Sequence, residues 1–92
     1  RKKKVQSVNH FLRDLRIREG KTQMDTARFL GHTTAQYVSN LERELCDASV
    51  EMAARLCEFY GGNRMDLYEI LVRNHRAELD KRFVVRTAKK AA

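Results

Sequence analysis

Hydrophobic residues in the first half of the chain recur at intervals of three and four, the spacing of one face of an α-helix. The pattern predicts three helices, over about residues 8–19, 23–30 and 35–44. Gly20 and Gly31 are expected to end the first two helices, and Thr22 and Thr34 to begin the second and third as N-caps.

Two more helices are predicted in the second half. Ser49 is expected to cap a fourth helix, which runs to about residue 60 and ends at a pair of glycines. Asn63 is expected to cap a fifth helix with a strongly apolar start. The β-branched residues at 84–85 predict that this helix ends near Phe83 or continues as a short strand.

The fifth predicted helix carries a sparse apolar stripe beyond its first two turns. A seam against a second copy of the chain is the favoured interpretation. The alternative is a terminal helix that folds back on its own domain. The residues of the stripe are Tyr68, Val72, His75, Leu79 and Phe83.

Composition supports an all-helical fold. The chain has 92 residues, no proline and four glycines, so it offers few turn signals for a multistranded sheet. We expect one compact domain, with a basic arm at residues 1–6, a main helical unit at 7–72 and a helical extension at 73–92.

The charge of the chain favours a polyanionic partner. The formal net charge is +7 and the isoelectric point is about 9.9, above the value of about 9 that is typical of nucleic-acid-binding domains. Lys3 and Lys4 belong to an arm that either reaches DNA or remains a solvated tail. No apolar run approaches the ~20 residues of a membrane-spanning helix, and a cytoplasmic, nucleoid-associated protein is expected.

The residues that most often carry chemistry are too scattered to predict an enzyme, a metal site or a cofactor. Cys46 and Cys57 are too few for a disulfide framework and lack the close spacing of zinc ligands. Cys57 lies on an apolar helical face and is expected to be buried. The three histidines lie on different predicted elements, without the spacing of a nucleophile and its base.

The third predicted helix has two contrasting faces when its residues are placed 100° apart. Val38, Leu41 and Leu45 fall on one side, together with Tyr37. The opposite side has no large apolar residue and no acid, and it consists of Ala35, Gln36, Ser39, Asn40 and Arg43. Such a surface suits a helix in the major groove, because Gln and Asn can form two hydrogen bonds to adenine. Thr33 and Thr34 lie within reach of phosphate or a thymine methyl group.

Three segments resemble the Xre/Cro-type, lambda repressor-like regulators of bacteria and phages. Residues 12–23, LRDLRIREGKTQ, resemble the first helix and the start of the second. Residues 37–43, YVSNLER, resemble the recognition helix, and residues 49–51, SVE, resemble the start of the fourth helix. The resemblance covers about residues 11–71 and implies a five-helix helix-turn-helix domain that binds DNA as a homodimer.

The resemblance also implies roles for individual residues. Ala35, Gln36 and Asn40 would face the bases, and Ser39 shares their surface. Arg16 and Glu42 would form a partly buried salt bridge between the first and third helices. The residues expected to contact the DNA backbone, from the resemblance and from their positions, are Gln23, Arg43, Thr33, Thr34, Lys21, Lys3 and Lys4.

Three departures from the family pattern affect these expectations. Residues 45–48, LCDA, stand where basic residues and proline are common, which weakens one expected phosphate contact. His32 lengthens the turn before the recognition helix by one residue, and Glu44 replaces a common glycine, so the recognition helix is expected to run further. The favoured function is a sequence-specific transcriptional regulator, and the sequence leaves open whether it is a repressor or an activator. The alternative is an antitoxin that binds a toxin protein through the C-terminal helix and regulates its own gene through DNA.

Overall fold

The computed structural model describes the backbone of residues 6–91 and the side chains of residues 6–83. This part of the chain is all-helical, with no strand. It forms α1 (Val8–Arg18), α2 (Gln23–Leu30), α3 (Gln36–Glu42), α4 (Val50–Phe59) and α5 (Arg64–Ala91). The predicted all-α class and the predicted number of helices are confirmed.

Polar side chains begin several of these helices. Thr22 Oγ1 accepts a hydrogen bond of 2.9 Å from the Asp25 N–H, and Asp25 Oδ2 accepts one of 2.8 Å from the Thr22 N–H. This capping box satisfies two N–H groups that the first turn of α2 leaves without a helical partner. Ser49 accepts from the Met52 N–H and Asn63 from the Met65 N–H, so the predicted caps of α4 and α5 are confirmed.

The core lies where four helices meet. It takes one apolar face each from α1, α3, α4 and the first two turns of α5. Cys57 is fully buried in it, as predicted, and burial raises the pKa of its thiol. The buried apolar residues of this cluster are Phe11, Leu12, Leu15, Leu41, Ala53, Leu56, Cys57, Tyr60, Leu67 and Ile70.

Gly62 lets the turn between α4 and α5 approach α1 closely. A Cβ atom at this position would lie 2.5 Å from Leu15 Cδ1 and 3.1 Å from Cys57 Sγ. Because Leu15 is itself buried, it has little room to move away. The glycine therefore fixes the start of α5 against the first helix of the domain.

The structure corrects the predicted bounds of α3. The helix begins at Gln36 with Ala35 as its N-cap, and Thr34 Oγ1 accepts only a long hydrogen bond of 3.4 Å from the Gln36 N–H. It ends at Glu42, because Glu44 adopts the left-handed conformation, with φ of 63°, that glycine adopts most readily after a helix. The prediction of Thr34 as the cap and of a helix over 35–44 is wrong.

The end of α3 also changes the position of Leu45. The N–H groups of Glu44 and Leu45 bond back to the carbonyls of Leu41 and Asn40, at 3.0 and 2.9 Å. This arrangement turns the chain out of the helix, so the helical repeat no longer applies to the next residue. Leu45 is 64% exposed, and its prediction as part of the inner face is wrong.

The last helix is longer than predicted. α5 runs without interruption from Arg64 to Ala91, so the predicted end or strand near Phe83 is wrong. The β-branched residues at 84–85 have only a weak preference against helix, and an established helix adds further residues at little cost. Only the first part of α5 is buried, at Leu67 and Ile70, and the side chains of residues 78–83 are all exposed.

Candidate nucleic-acid interface

The outer face of α3 carries two amide side chains, one turn apart. Gln36 Nε2 donates a hydrogen bond of 3.0 Å to Asn40 Oδ1. Gln36 is exposed and Asn40 is half-buried. The bond orients both amides along the helix and leaves each with further donor or acceptor capacity. Polar hydrogen-bonding groups are thus held together on a surface without acidic side chains.

The inner face of α3 anchors it to the domain. Val38 is 1% exposed and Leu41 is 3% exposed, as the helical repeat predicts. These two residues lie on the side opposite Gln36 and Asn40. Apolar burial on one side therefore fixes which residues α3 presents on the other.

A buried ion pair ties α3 to α1. Arg16 Nε donates to Glu42 Oε2 at 2.6 Å, and Arg16 Nη2 donates to Glu42 Oε1 at 3.1 Å. The two side chains are only 13% and 7% exposed. The hydrogen bond to Glu42 raises the pKa of Arg16, although burial opposes it. The predicted pair is present in the structure, and its bidentate geometry fixes the orientation of α3.

Gln23 connects α2 to the same ion pair. Its Nε2 donates a hydrogen bond of 2.9 Å to Glu42 Oε1, while Arg16 Nη1 donates to the Lys21 carbonyl at 2.7 Å. The resemblance implied a phosphate contact for Gln23 and did not suggest this bond to Glu42. A glutamine amide has a second N–H, so the bond to Glu42 does not use its whole donor capacity.

The remaining predicted DNA contacts fall into four groups. Thr33, Thr34 and Arg43 are exposed at the two ends of α3, whereas Ala35 and Ser39 are half-buried. Lys21 has its Nζ 5.0 Å from the centre of the Phe59 ring, which gives its ammonium a contact within the domain. Lys3 and Lys4 lie outside the described residues.

His32, in the turn that precedes α3, packs on the helix. Its ring stacks on Tyr37, with ring centres 5.2 Å apart and planes 14° apart. Burial raises the pKa of Tyr37, whose side chain lies partly against the core. The additional residue in the turn is thus held against the first turn of α3.

Sequence reasoning missed a buried hydrogen bond between α2 and the end of α4. Thr26 Oγ1 lies 2.9 Å from Tyr60 Oη, and the two side chains are 0% and 2% exposed. Burial raises the pKa of Tyr60, while the bond to Thr26 opposes that change. The two residues are 34 positions apart in the sequence, so no local pattern pairs them.

An aromatic stack beside this bond was also missed. The rings of Phe29 and Phe59 are stacked, with centres 4.2 Å apart, and Arg55 lies 5.4 Å from the Phe29 ring centre.

The burial of Asn9 was also not predicted from the sequence. Its side chain is buried, and its Nδ2 donates a hydrogen bond of 2.8 Å to the Cys46 carbonyl. This bond attaches the loop after α3 to α1.

The described residues contain no group of three or more His, Cys, Asp or Glu side chains placed to hold a metal ion. None of the helices in this part of the chain combines the length and the apolar character needed to cross a bilayer. Comparison with protein-family models, with curated proteins and with solved structures finds no significant match to this chain.

Proposed function

We propose that this protein is a sequence-specific transcriptional regulator that binds DNA as a homodimer and has a lambda repressor-like helix-turn-helix fold. In this proposal α3 enters the major groove and α2 lies across the DNA backbone. The observation that carries the proposal is the joined pair of amides on α3, Gln36 and Asn40, on a surface that faces away from the core.

Three further features support this function. The Arg16–Glu42 pair and Gln23 connect α1, α2 and α3, so the amide pair is presented on a rigid support. Thr33, Thr34 and Arg43 lie on either side of the amides, where groove-lining phosphates would be. The net charge of +7 supplies long-range attraction to DNA.

Each residue has a distinct role in the proposal. Gln36 and Asn40 read base edges, with Ala35 and Ser39 close enough to exclude water or contact a thymine methyl group. Arg43, Thr33 and Thr34 bind phosphates, and the second N–H of Gln23 reaches another. We leave Lys21 out of the interface because its ammonium lies over Phe59.

The test compares a duplex selected for tight binding with a scrambled duplex of the same length. We expect the variant that combines Gln36→Ala and Asn40→Ala to bind the selected duplex at least tenfold more weakly, since each good base contact contributes about 1–3 kcal/mol. Its affinity for the scrambled duplex should not change. Equal affinity of the wild type and the variant for the selected duplex would exclude α3 as the reader.

Arg43→Ala supplies the contrasting result. A phosphate contact contributes to every sequence, so both duplexes should lose affinity by the same factor, and the salt dependence should become shallower by about one counterion. Arg13→Ala is the matched control, because Arg13 is an exposed arginine on α1 with no assigned contact. If the salt dependence of DNA affinity became shallower for both variants, the effect of Arg43→Ala would be one of net charge alone.

The exposed outer face of α5 favours a second candidate function, an antitoxin that binds a toxin protein and also regulates its own gene. Tyr68 and Val72 are 59% and 44% exposed there. A partner protein encoded beside this gene, which co-purifies in equal amounts and is released by Tyr68→Glu, would support this function. A homodimer without a partner would count against it.

A further inference from the structure

The outer face of α5 carries a seven-residue repeat. Met65, Val72 and Leu79 are spaced by seven and are 58%, 44% and 37% exposed. Tyr68 and His75 lie three residues after the first two, and Arg82 lies three residues after Leu79. These are the a and d positions of a heptad, which form the seam of a two-helix coiled coil.

Charged side chains flank one side of this stripe. Glu69 and Arg76 each follow a d residue, which places them at the e positions of the repeat. Both are exposed, and neither forms an ion pair within the part of the chain whose side chains are described. Charges at e positions select the orientation and the register of paired helices.

We propose that α5 pairs antiparallel with α5 of a second copy, with Glu69 of one chain against Arg76 of the partner subunit. The two-fold axis passes between Val72 and His75. This inference rests on the proposed function only in that it takes the second copy as the occupant of the stripe.

Charge and seam length together disfavour the neighbouring antiparallel registers. One of them would bring Arg64 against Glu78 of the partner subunit, but it would leave Leu79 beyond the start of the partner's α5. In the proposed register two symmetric Glu69–Arg76 contacts form across the seam. A slip by one heptad in either direction would place Glu69 against itself or Arg76 against itself. Since like charges repel at this distance, one antiparallel register is favoured over its neighbours.

The seam residues also favour an antiparallel pair over a parallel one. A parallel pair places each residue opposite its own copy, so Arg82 would face Arg82 and His75 would face His75 within the seam. An antiparallel pair places each a residue opposite a d residue. Leu79 then faces Tyr68 of the partner subunit. At the end of the seam, Arg82 lies beside Met65 of the partner subunit.

Charge exchange tests the orientation in the full-length protein by analytical ultracentrifugation. Glu69→Lys and Arg76→Glu each replace two attractive contacts with two repulsive ones, so each variant alone should dissociate about tenfold more readily than the wild type. An equimolar mixture of the two should form heterodimers as tight as the wild-type dimer, because both contacts are attractive again.

A parallel seam predicts a different rescue. There Glu69 faces Arg64 of the partner subunit, so the combined variant Glu69→Lys with Arg64→Glu would restore the dimer and the mixture would not. That result would overturn the proposal. So would two single variants that dimerise like the wild type, or a wild-type chain that remains monomeric at about 100 μM.

Disulfide trapping gives a second readout, in chains with Cys46→Ser and Cys57→Ser. Leu79→Cys mixed with Tyr68→Cys should form a cross-linked heterodimer. Leu79→Cys alone should not, since its two copies would lie roughly 16 Å apart along the seam, beyond the reach of a disulfide. Cross-linking of Leu79→Cys alone would contradict the antiparallel arrangement.

These results are independent of the DNA-binding tests. If the mixture of Glu69→Lys and Arg76→Glu dimerises but Gln36→Ala and Asn40→Ala leave DNA affinity unchanged, the proposed seam is supported and the proposed function is wrong. If DNA reading is confirmed and the mixture remains monomeric, only the seam is wrong.

Discussion

The α1–α3 region and the outer half of α5 use polar residues in opposite ways. In the first region Arg16, Glu42 and Gln23 form a nearly buried network in which each polar group has a partner. On α5 the ion pair between Arg82 and Glu78 is open to solvent, at 70% and 56% exposure, beside an uncovered apolar stripe. The first arrangement fixes one geometry, whereas the second leaves a surface for another molecule.

The comparison predicts its largest effect at Arg16. Arg16→Ala leaves the Glu42 carboxylate buried without its charged partner, and we expect a loss of about 3 kcal/mol in the free energy of unfolding, measured with urea. The combined variant Arg16→Met with Glu42→Leu should be more stable than Arg16→Ala alone, because it buries no charge. A loss below about 1 kcal/mol for Arg16→Ala would contradict a closed network.

A smaller effect is expected at the buried hydrogen bond between Thr26 and Tyr60. Thr26→Val keeps the shape of the side chain but leaves the tyrosine hydroxyl without its partner, at a cost of about 1–2 kcal/mol. Tyr60→Phe should cost less, because Thr26 Oγ1 also bonds the Thr22 carbonyl. In a double-mutant cycle measured by urea unfolding, the combined variant should lose clearly less free energy of unfolding than the two single variants lose together. Losses that simply add would argue against the bond.

The capping box of α2 predicts a dependence on pH. Hydrogen bonds from the Thr22 backbone and side chain hold the pKa of Asp25 below its usual value in the folded protein. The stabilisation is therefore complete above the usual pKa near 3.8 and is lost as pH falls through the lower, folded value. Between pH 6 and pH 3, wild type should lose more stability than Asp25→Asn, and parallel pH profiles would refute this contribution.

The smallest effect is expected on α5. Arg82→Ala removes an exposed ion pair of 3.3 Å, and the free energy of unfolding of the monomer should change by less than about 0.5 kcal/mol. The measurement is made at a protein concentration at which the wild type is monomeric, so that the α5 seam does not contribute to the free energy of unfolding. A loss near that of Arg16→Ala would remove the contrast between the two regions.

Local signals in the sequence were sufficient for most of the fold. Each N-cap side chain accepts a hydrogen bond from an N–H group no more than three residues away, as at Thr22, Ser49 and Asn63. A short stretch of sequence therefore contains both partners of each cap. The inner face of α3 followed from the helical repeat, because Val38 and Leu41 are separated by less than one turn.

The wrong end of α3 and the missed contacts have separate physical causes. Glu44 adopts a left-handed conformation that non-glycine residues rarely adopt, so its side chain gave a misleading signal for the end of α3. The contacts of Gln23 with Glu42 and of Thr26 with Tyr60 join residues 19 and 34 positions apart. Such contacts depend on how the helices pack, which no local pattern contains.

Selection of bound duplexes from a random DNA pool tests the central claim, that α3 reads DNA, most directly. The account predicts one enriched sequence with two-fold symmetry, with half-sites about one helical turn apart, and loss of that enrichment when Gln36 and Asn40 are both alanine. Equal retention of all sequences by the wild type, at low and at moderate salt, would contradict it.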